Sequence, residues 1–374
     1  MKFEKMPEEI YIVGTKGICT FIINNYIEAA DIKGFVDSEQ LTCEGGGGIN
    51  GIKQFSIQNV LDRAEKHIVI ADPHNREKIE KYLSDHGLIE EKDFCYYRKW
   101  MRKYFEFIYR RHDYLIQDYI ELYITNKCTL KCKSCGLLVP DAFPKKDYDI
   151  ENLKRTVERY FEYVDYVKVF RVMGGETFLY EDLKELTLFF GENYMNRIGH
   201  LIFVTNGTIL PPIDILKLIS HYDIEIVLSD YSADIAQKRR AALLDLFHQT
   251  NVKYLIKNDD HWIDEFGDPR KVKHTDENVL RNLFQLCFNR CRTLENDKMY
   301  FCSIDSAAKR VGIIADSIGD YVDLNDNSDR DKKREEILNF DAGDVPKGYV
   351  SFCQNCYGGP NCNDRRIPFG EQLK

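Results

Sequence analysis

Cys128, Cys132 and Cys135 are spaced CxxxCxxC on one short stretch between Thr125 and Pro140. Three thiolates at this spacing suit a soft metal, yet no His or fourth Cys lies nearby to close a tetrahedral site. An iron–sulfur cube held by three Cys keeps one iron open for an outside ligand. Structural zinc is the competing chemistry, and it normally shows paired CxxC units. Three unrelated buried thiols are the remaining reading. A second group follows, with Cys287, Cys291, Cys302, Cys353, Cys356 and Cys362, leaving Cys19, Cys43 and Cys95 of the twelve cysteines ahead of Thr125. Met1 to Ile10 is charged, without the apolar segment of a secretory signal, and no run is long enough to span a bilayer. A cytoplasmic location is expected, where disulfides are disfavoured and clustered Cys points to metal.

The elements that must position these residues repeat as strand and helix from about Leu115. An apolar run, Ile120 to Ile124, leads into the cysteine loop. Asp149 is placed to cap a helix whose apolar positions Ile150, Leu153, Val157, Phe161 and Val164 recur at helical spacing. The next strand, Val167 to Met173, ends in Gly174-Gly175-Glu176. Strand Leu201 to Val204 ends in Thr205-Asn206-Gly207, and strand Ile224 to Leu228 ends in Ser229-Asp230. A helix over Ala233 to Phe247 precedes a strand over Val252 to Ile256. Every polar motif thus falls at a strand's C-terminal end, where parallel α/β barrels assemble their sites. Gly174 and Gly175 lack Cβ atoms and allow close approach of backbone to a ligand.

CxxxCxxC followed by a GGE motif resembles the radical S-adenosylmethionine (SAM) superfamily. That resemblance covers Glu121 to Cys362. It implies that Cys128, Cys132 and Cys135 bind a 4Fe–4S cluster whose open iron takes the amino and carboxylate groups of SAM. Gly174, Gly175 and Glu176 would then meet the methionine amino group, while Asn206 and Ser229 meet its ribose and carboxylate. Two positions depart from the family's pattern: Ser134 replaces the usual aromatic residue before the third Cys, and Thr177 replaces the usual Pro after GGE. Cys287 to Cys302 resembles the C-x9–15-G-x4-C opening of the SPASM and twitch extensions, with Asp297 in place of Gly, and Cys353-x2-Cys356-x5-Cys362 resembles their later CxxCx5C. One auxiliary 4Fe–4S cluster is expected from these six, with Cys291, Cys302, Cys353 and Cys356 as the preferred ligands and Cys287 close behind Cys291. A zinc knuckle is the alternative.

The first hundred residues also alternate strand and helix. Ile10 to Gly14, Ile32 to Val36 and His67 to Ala71 read as strands, with helices to about Ala30, around Ile57 to Ala64 and over Arg76 to Leu83. Strand, glycine turn, helix and a strand ending in Asp37 is Rossmann-like order, although Gly14-Thr-Lys-Gly17 is a degenerate form of G-x-G-x-x-G. This part resembles the small Rossmann-like domain that precedes sugar acyltransferases and some polysaccharide-locus enzymes, through Gly14, Asp37 and Gly51. The Gly45 to Gly48 run marks a loop. The basic run Tyr96 to Tyr114 reads as an amphipathic linker helix with a solvated face.

A chain of 374 residues suggests two or three domains, expected at 1–105, 115–280 and 281–374. The fold expected is α/β: a small Rossmann-like domain, a partial (β/α)6 radical SAM barrel, and a cysteine-rich twitch/SPASM-like extension. A net charge of −9 argues against a duplex nucleic-acid binder, which needs a concentrated basic surface. No membrane partner is expected. The resemblance implies reductive cleavage of SAM to a 5′-deoxyadenosyl radical that abstracts hydrogen, with an electron donor such as flavodoxin or ferredoxin. The Rossmann-like start favours a sugar or nucleotide-sugar substrate that is dehydrogenated, epimerised or dehydrated. A maturase of ribosomally made peptides is the alternative, and a non-catalytic iron–sulfur redox scaffold is the third reading.

Overall fold

A computed structural model gives the structure of the chain and describes residues 5–26, 29–42, 48–63, 67–72, 75–231, 234–257, 261–287, 291–326, 328–358 and 365–373. Of the sequence motifs, Cys362 and most of the Gly45–Gly48 run lie outside the described residues. The chain forms two compact units, Met1–Tyr114 and Leu115–Lys374.

The first unit runs β1 (Glu9–Gly14), α1 (Lys16–Tyr26), β2 (Asp31–Asp37), α2 (Ile57–Leu61), β3 (His67–Ile70), α3 (Arg76–Asp85), β4 (Phe94–Tyr96) and α4 (Tyr97–His112). Its strands make a parallel sheet in the order β2-β1-β3-β4. β-Branched and aromatic residues on these strands, including Val13, Val36, Ile70 and Phe94, bury a core against α2 and α3. The basic run expected to form a helix is α4, which belongs to this unit; the expected boundary at 105 falls inside it.

The second unit continues with β5 (Ile116–Tyr123), α5 (Ile150–Tyr163), β6 (Tyr166–Met173), α6 (Leu183–Asn193), β7 (Ile198–Thr205), α7 (Ile213–His221), β8 (Glu225–Ser229), α8 (Asp234–Thr250) and β9 (Lys253–Lys257). Then come β10 (His261–Ile263), α9 (Glu277–Leu286), β11 (Thr293–Glu295), β12 (Lys298–Tyr300), α10 (Ser303–Arg310), β13 (Tyr321–Asp323), α11 (Arg330–Asp341) and β14 (Arg366–Pro368). Eight strands form one sheet, β13-β12-β11-β5-β6-β7-β8-β9, in which β5 to β9 are parallel and in sequence order. The sixth parallel strand is β11, beside β5; β10 pairs instead with β14. From the stretch after 281, expected as a domain of its own, β11 to β13 extend this sheet, and the whole stretch belongs to the same compact unit. No described helix is long and apolar enough to cross a membrane.

Helix α5 shows why the sequence folds this way. Asp149 accepts a hydrogen bond from Asn152 N at 3.0 Å, satisfying an amide at the helix start. The apolar stripe Leu153, Val157, Tyr160 and Phe161 is buried, and the Phe161 and Phe170 rings stack with centroids 6.1 Å apart. Each such side chain contributes about 1.5–3 kcal/mol on burial. The layer fixes β6, whose end carries the glycine motif.

Candidate iron–sulfur and SAM site

The cysteine loop leaves β5 and is held at both of its sides. Strand register puts Tyr123 opposite Met173, and the ladder continues beyond the strands: Ile124 N donates to Met173 O, Gly175 N to Thr125 O at 2.7 Å, and Glu176 N to Lys127 O at 2.8 Å. A Cβ on Gly175 would lie 2.1 Å from Lys127 O and 2.9 Å from Cys128 Cβ; one on Gly174 would lie 2.5 Å from Thr125 O. The close approach that these glycines permit is thus to the loop bearing Cys128. On the far side, Thr125 Oγ1 donates to Asp147 at 2.6 Å and Asn126 Nδ2 to Pro144 O at 3.1 Å.

Glu176 is fully buried. Its carboxylate accepts from Thr205 Oγ1 at 2.7 Å, Asn206 N at 2.8 Å and Phe178 N at 3.1 Å, which ties the end of β6 to the end of β7. Burial pushes its pKa up to about 7 despite those donors. Asn206 Oδ1 accepts from the Thr208 amide and hydroxyl, while its Nδ2 points at Cys128 Sγ, 3.5 Å away. Ser229, at the end of β8, is buried, and its carbonyl accepts from Tyr231 N at 2.9 Å. Tyr231 in turn lies within electrostatic reach of Cys132, Cys135 and Cys128. The structure accordingly brings Gly174, Gly175, Glu176 and Asn206 to the loop that bears Cys128, with Ser229 at a neighbouring strand end.

The donor set around the sulfurs fits a thiolate-ligated cluster. Burial pushes the Cys128 thiol up to about 12 and the Cys132 thiol to about 11, and raises Cys135 too, so stable thiolates need compensating charge. Nitrogen donors already face two of the sulfurs: Leu130 N at 3.4 Å and Asn206 Nδ2 at Cys128, and Gln372 Nε2 at 3.1 Å on Cys132. Among the described residues, no three His, Cys, Asp or Glu side chains converge on a single metal ion.

Two departures from the expected pattern have local explanations. Ser134 takes a left-handed backbone (φ 52°), and its hydroxyl donates to Asp264 Oδ1 at 2.8 Å. Asp297 is also left-handed (φ 58°), at the turn between β11 and β12 where glycine is expected. Its carboxylate accepts from Arg155 Nε at 2.9 Å and Thr156 Oγ1 at 2.8 Å, tying the turn to α5.

The later cysteines separate. Cys287, Cys302, Cys353 and Cys356 line one cavity of about 40 Å³, walled by Phe284, Phe301, Ile304, Val350 and Phe352 and bordered by Glu265. Cys287 ends α9 and Cys302 precedes α10. Cys291, first in the preferred set, lies elsewhere. It is half-buried beside Glu121, itself bonded by Tyr119 Oη at 2.6 Å and 3.6 Å from Arg171. Of the expected ligands, Cys302, Cys353 and Cys356 thus share this cavity with Cys287, while Cys291 is not among its lining. Strand β11 begins at Thr293 and pairs with β5 at Glu121, which draws the preceding Cys291 to that carboxylate.

In the first unit, a Cβ on Gly14 would meet the Cβ of Ala71 at 3.1 Å, so this glycine serves sheet packing. Asp37 Oδ1 accepts from Glu39 N at 3.1 Å. Asp72, buried at the end of β3, accepts from Ser38 Oγ at 2.6 Å and from Asn75. Sequence reasoning missed Asp72, Tyr231, Asp264 and Gln372; none sits in a recurring pattern.

The sequence profile described as the Radical SAM superfamily matches residues 122–242, from the end of β5 to within α8. The chain carries a radical SAM domain. It is an iron–sulfur, SAM-dependent enzyme, and its cofactors are a 4Fe–4S cluster and SAM. No curated protein matches the sequence. Among solved structures, anSMEcpe with bound AdoMet is similar at 15% identity and a TM-score of 0.42, over 69% of this chain and 89% of its own. BtrN in complex with AdoMet and 2-DOIA is similar at 15% identity and a TM-score of 0.41, over 67% of this chain and 98% of its own. SuiB of Streptococcus suis bound to S-adenosylmethionine is similar at 16% identity and a TM-score of 0.31, over 59% of this chain and 51% of its own.

Proposed function

We propose that this radical SAM enzyme removes hydrogen from a sugar or nucleotide-sugar, leading to its dehydrogenation, epimerisation or dehydration. Cys128, Cys132 and Cys135 hold the SAM-binding cluster, and the supporting observation is the set of nitrogen donors on the Cys128 and Cys132 sulfurs. When bound, the cluster and SAM supply one-electron cleavage of SAM to a carbon radical able to take hydrogen from an unactivated C–H bond. The chain's own residues do the rest. Gly174 and Gly175 let the end of β6 seat against the cysteine loop, and Glu176 locks that seat to β7. Asn206 and Ser229, at neighbouring strand ends, orient SAM over the same loop.

Cys287, Cys302, Cys353 and Cys356 hold an auxiliary 4Fe–4S cluster in their apolar cavity. Four thiolates leave no open iron, so this second site exchanges electrons and does not bind substrate directly. Flavodoxin or ferredoxin is the external donor. The Rossmann-like first unit recruits the carbohydrate or its nucleotide carrier at the strand ends of its parallel sheet.

The reading is tested anaerobically with SAM, dithionite and candidate sugars, nucleotide-sugars and peptides, followed by mass spectrometry. A sugar product together with 5′-deoxyadenosine is expected, and both should vanish when Cys128, Cys132 and Cys135 are replaced by Ala. Reductive SAM cleavage surviving in that variant would refute the cluster site; turnover of a peptide alone would refute the substrate class. Reconstituted protein should hold about eight irons, from two four-iron clusters, and Cys302→Ala about four.

A further inference from the structure

Gln372 lies 240 residues from Cys132 in sequence, yet its side chain ends on the Cys132 sulfur. The path there is built in steps. Strand β14 pairs antiparallel with β10. Phe369 then packs into an aromatic corner, with ring centroids 4.9 Å from Tyr231 and 5.3 Å from Trp262. Gly370 turns the chain in a left-handed conformation (φ 69°), pressed so close that a Cβ would sit 2.5 Å from the Tyr231 ring. Beyond it, Glu371 to Leu373 run alongside the cysteine loop: Lys133 N donates to Glu371 O at 2.7 Å and Leu373 N to Lys131 O at 2.7 Å, with Gln372 paired antiparallel to Cys132.

The Gln372 amide has one orientation available. The Lys131 backbone N–H can only donate, so the acceptor that it meets at 2.8 Å is Oε1. Nε2 is left to donate to Gly370 O at 2.7 Å and to Cys132 Sγ at 3.1 Å. With both ends of the amide fixed, the N–H is held on the sulfur. A donor to a ligating thiolate stabilises the more negative, reduced cluster, and hydrogen bonds to the sulfurs are among the levers that set a cluster's potential.

We propose that Gln372 is a positioning residue of the SAM cluster, carried on a strap from residues 366 to 373, and that its N–H on Cys132 raises the cluster's reduction potential. The proposal rests on the reading that Cys128, Cys132 and Cys135 hold this cluster. Its test is a redox titration of the reconstituted full chain, following the electron paramagnetic resonance signal that changes when SAM is added. Four proteins are compared: the parent, Gln372→Leu without a donor, Gln372→Glu with an added negative charge, and Gln372→Lys with a cationic donor. The potentials should rise in the order Glu, Leu, Gln, Lys. At a fixed poise the reduced-to-oxidised ratio in Gln372→Glu should fall about tenfold below the parent, equivalent to about 59 mV for one electron. A merely bracing residue would not sort its variants by charge. Coincident or unordered potentials, with the signal intact, overturn the proposal alone. A SAM-responsive signal that persists in Cys132→Ala overturns the site assignment, and the proposal with it.

Discussion

Lys168 on β6 is a half-buried cation whose pKa is held down to about 8 by its partial burial, against the pull of the Asp118 charge. The strand beyond it packs Phe170 and Val172 fully into the core. Below pH 8 the lysine is charged in both folded and unfolded chains, and folding bears the desolvation cost. Between about 8 and its unfolded value near 10.5 the unfolded chain holds the extra proton, so stability rises with pH. Lys168→Met is therefore expected to stabilise the protein by about 1–3 kcal/mol at pH 7. That gain should shrink from pH 8 upward, as read by paired denaturation curves in which the cysteine titrations cancel. At this scale the sequence is legible where a residue type carries one chemistry. The CxxxCxxC thiols announce a soft-metal site, whereas Ser134 and Asp297 look like defects until their positive φ values show which backbone each must adopt. Neither φ nor the distant acceptor of a hydroxyl can be read from composition.

At the scale of elements, the end of β6 and the cysteine loop form one continuous ladder, set by the pairing of Tyr123 with Met173. Gly175→Ala puts a methyl 2.1 Å from Lys127 O, a backbone atom that cannot yield without moving Cys128. Such overpacking typically costs about 1–3 kcal/mol. The expected result is a lowered melting temperature and loss of about half the iron, with the auxiliary cluster retained. Full iron content with an unchanged melting temperature would mean that the loop tolerates the shift. Strand and helix periodicity made these elements predictable, and the strand-end motifs followed from their order. Which cysteine joins which site did not. Cys287 and Cys291 are four residues apart at the end of α9 and before β11, and the pairing of β11 with β5 carries Cys291 away to Glu121. That is a register outcome, decided by partners some 170 positions upstream.

For the whole molecule, the open question is what a separate parallel α/β unit contributes to a radical enzyme. Its strand ends bring together Gly14, Asp37 and Asp72, but Gly14 is needed against Ala71 and both carboxylates already accept hydrogen bonds from their own turns. Gly17 is different. It lies in the first turn of α1, and a Cβ there meets no atom within 4 Å. Gly17→Glu consequently has room, and an acidic residue in the first turn suits the helix dipole, so folding is not the variable being changed. A nucleotide phosphate arriving at the amides of that turn would meet the new carboxylate instead. If the unit recruits a nucleotide-sugar, calorimetry on the full chain should show binding to the parent and at least about a tenfold weaker affinity in Gly17→Glu, the effect of about 1.4 kcal/mol of repulsion. SAM cleavage without substrate should stay nearly unchanged, because the cysteine loop and its supports all belong to the other unit. Absence of nucleotide-sugar binding in the parent, or equal turnover by the variant, would reduce the first unit to a docking domain. Tight binding of a leader peptide in its place would move the substrate from carbohydrate to peptide.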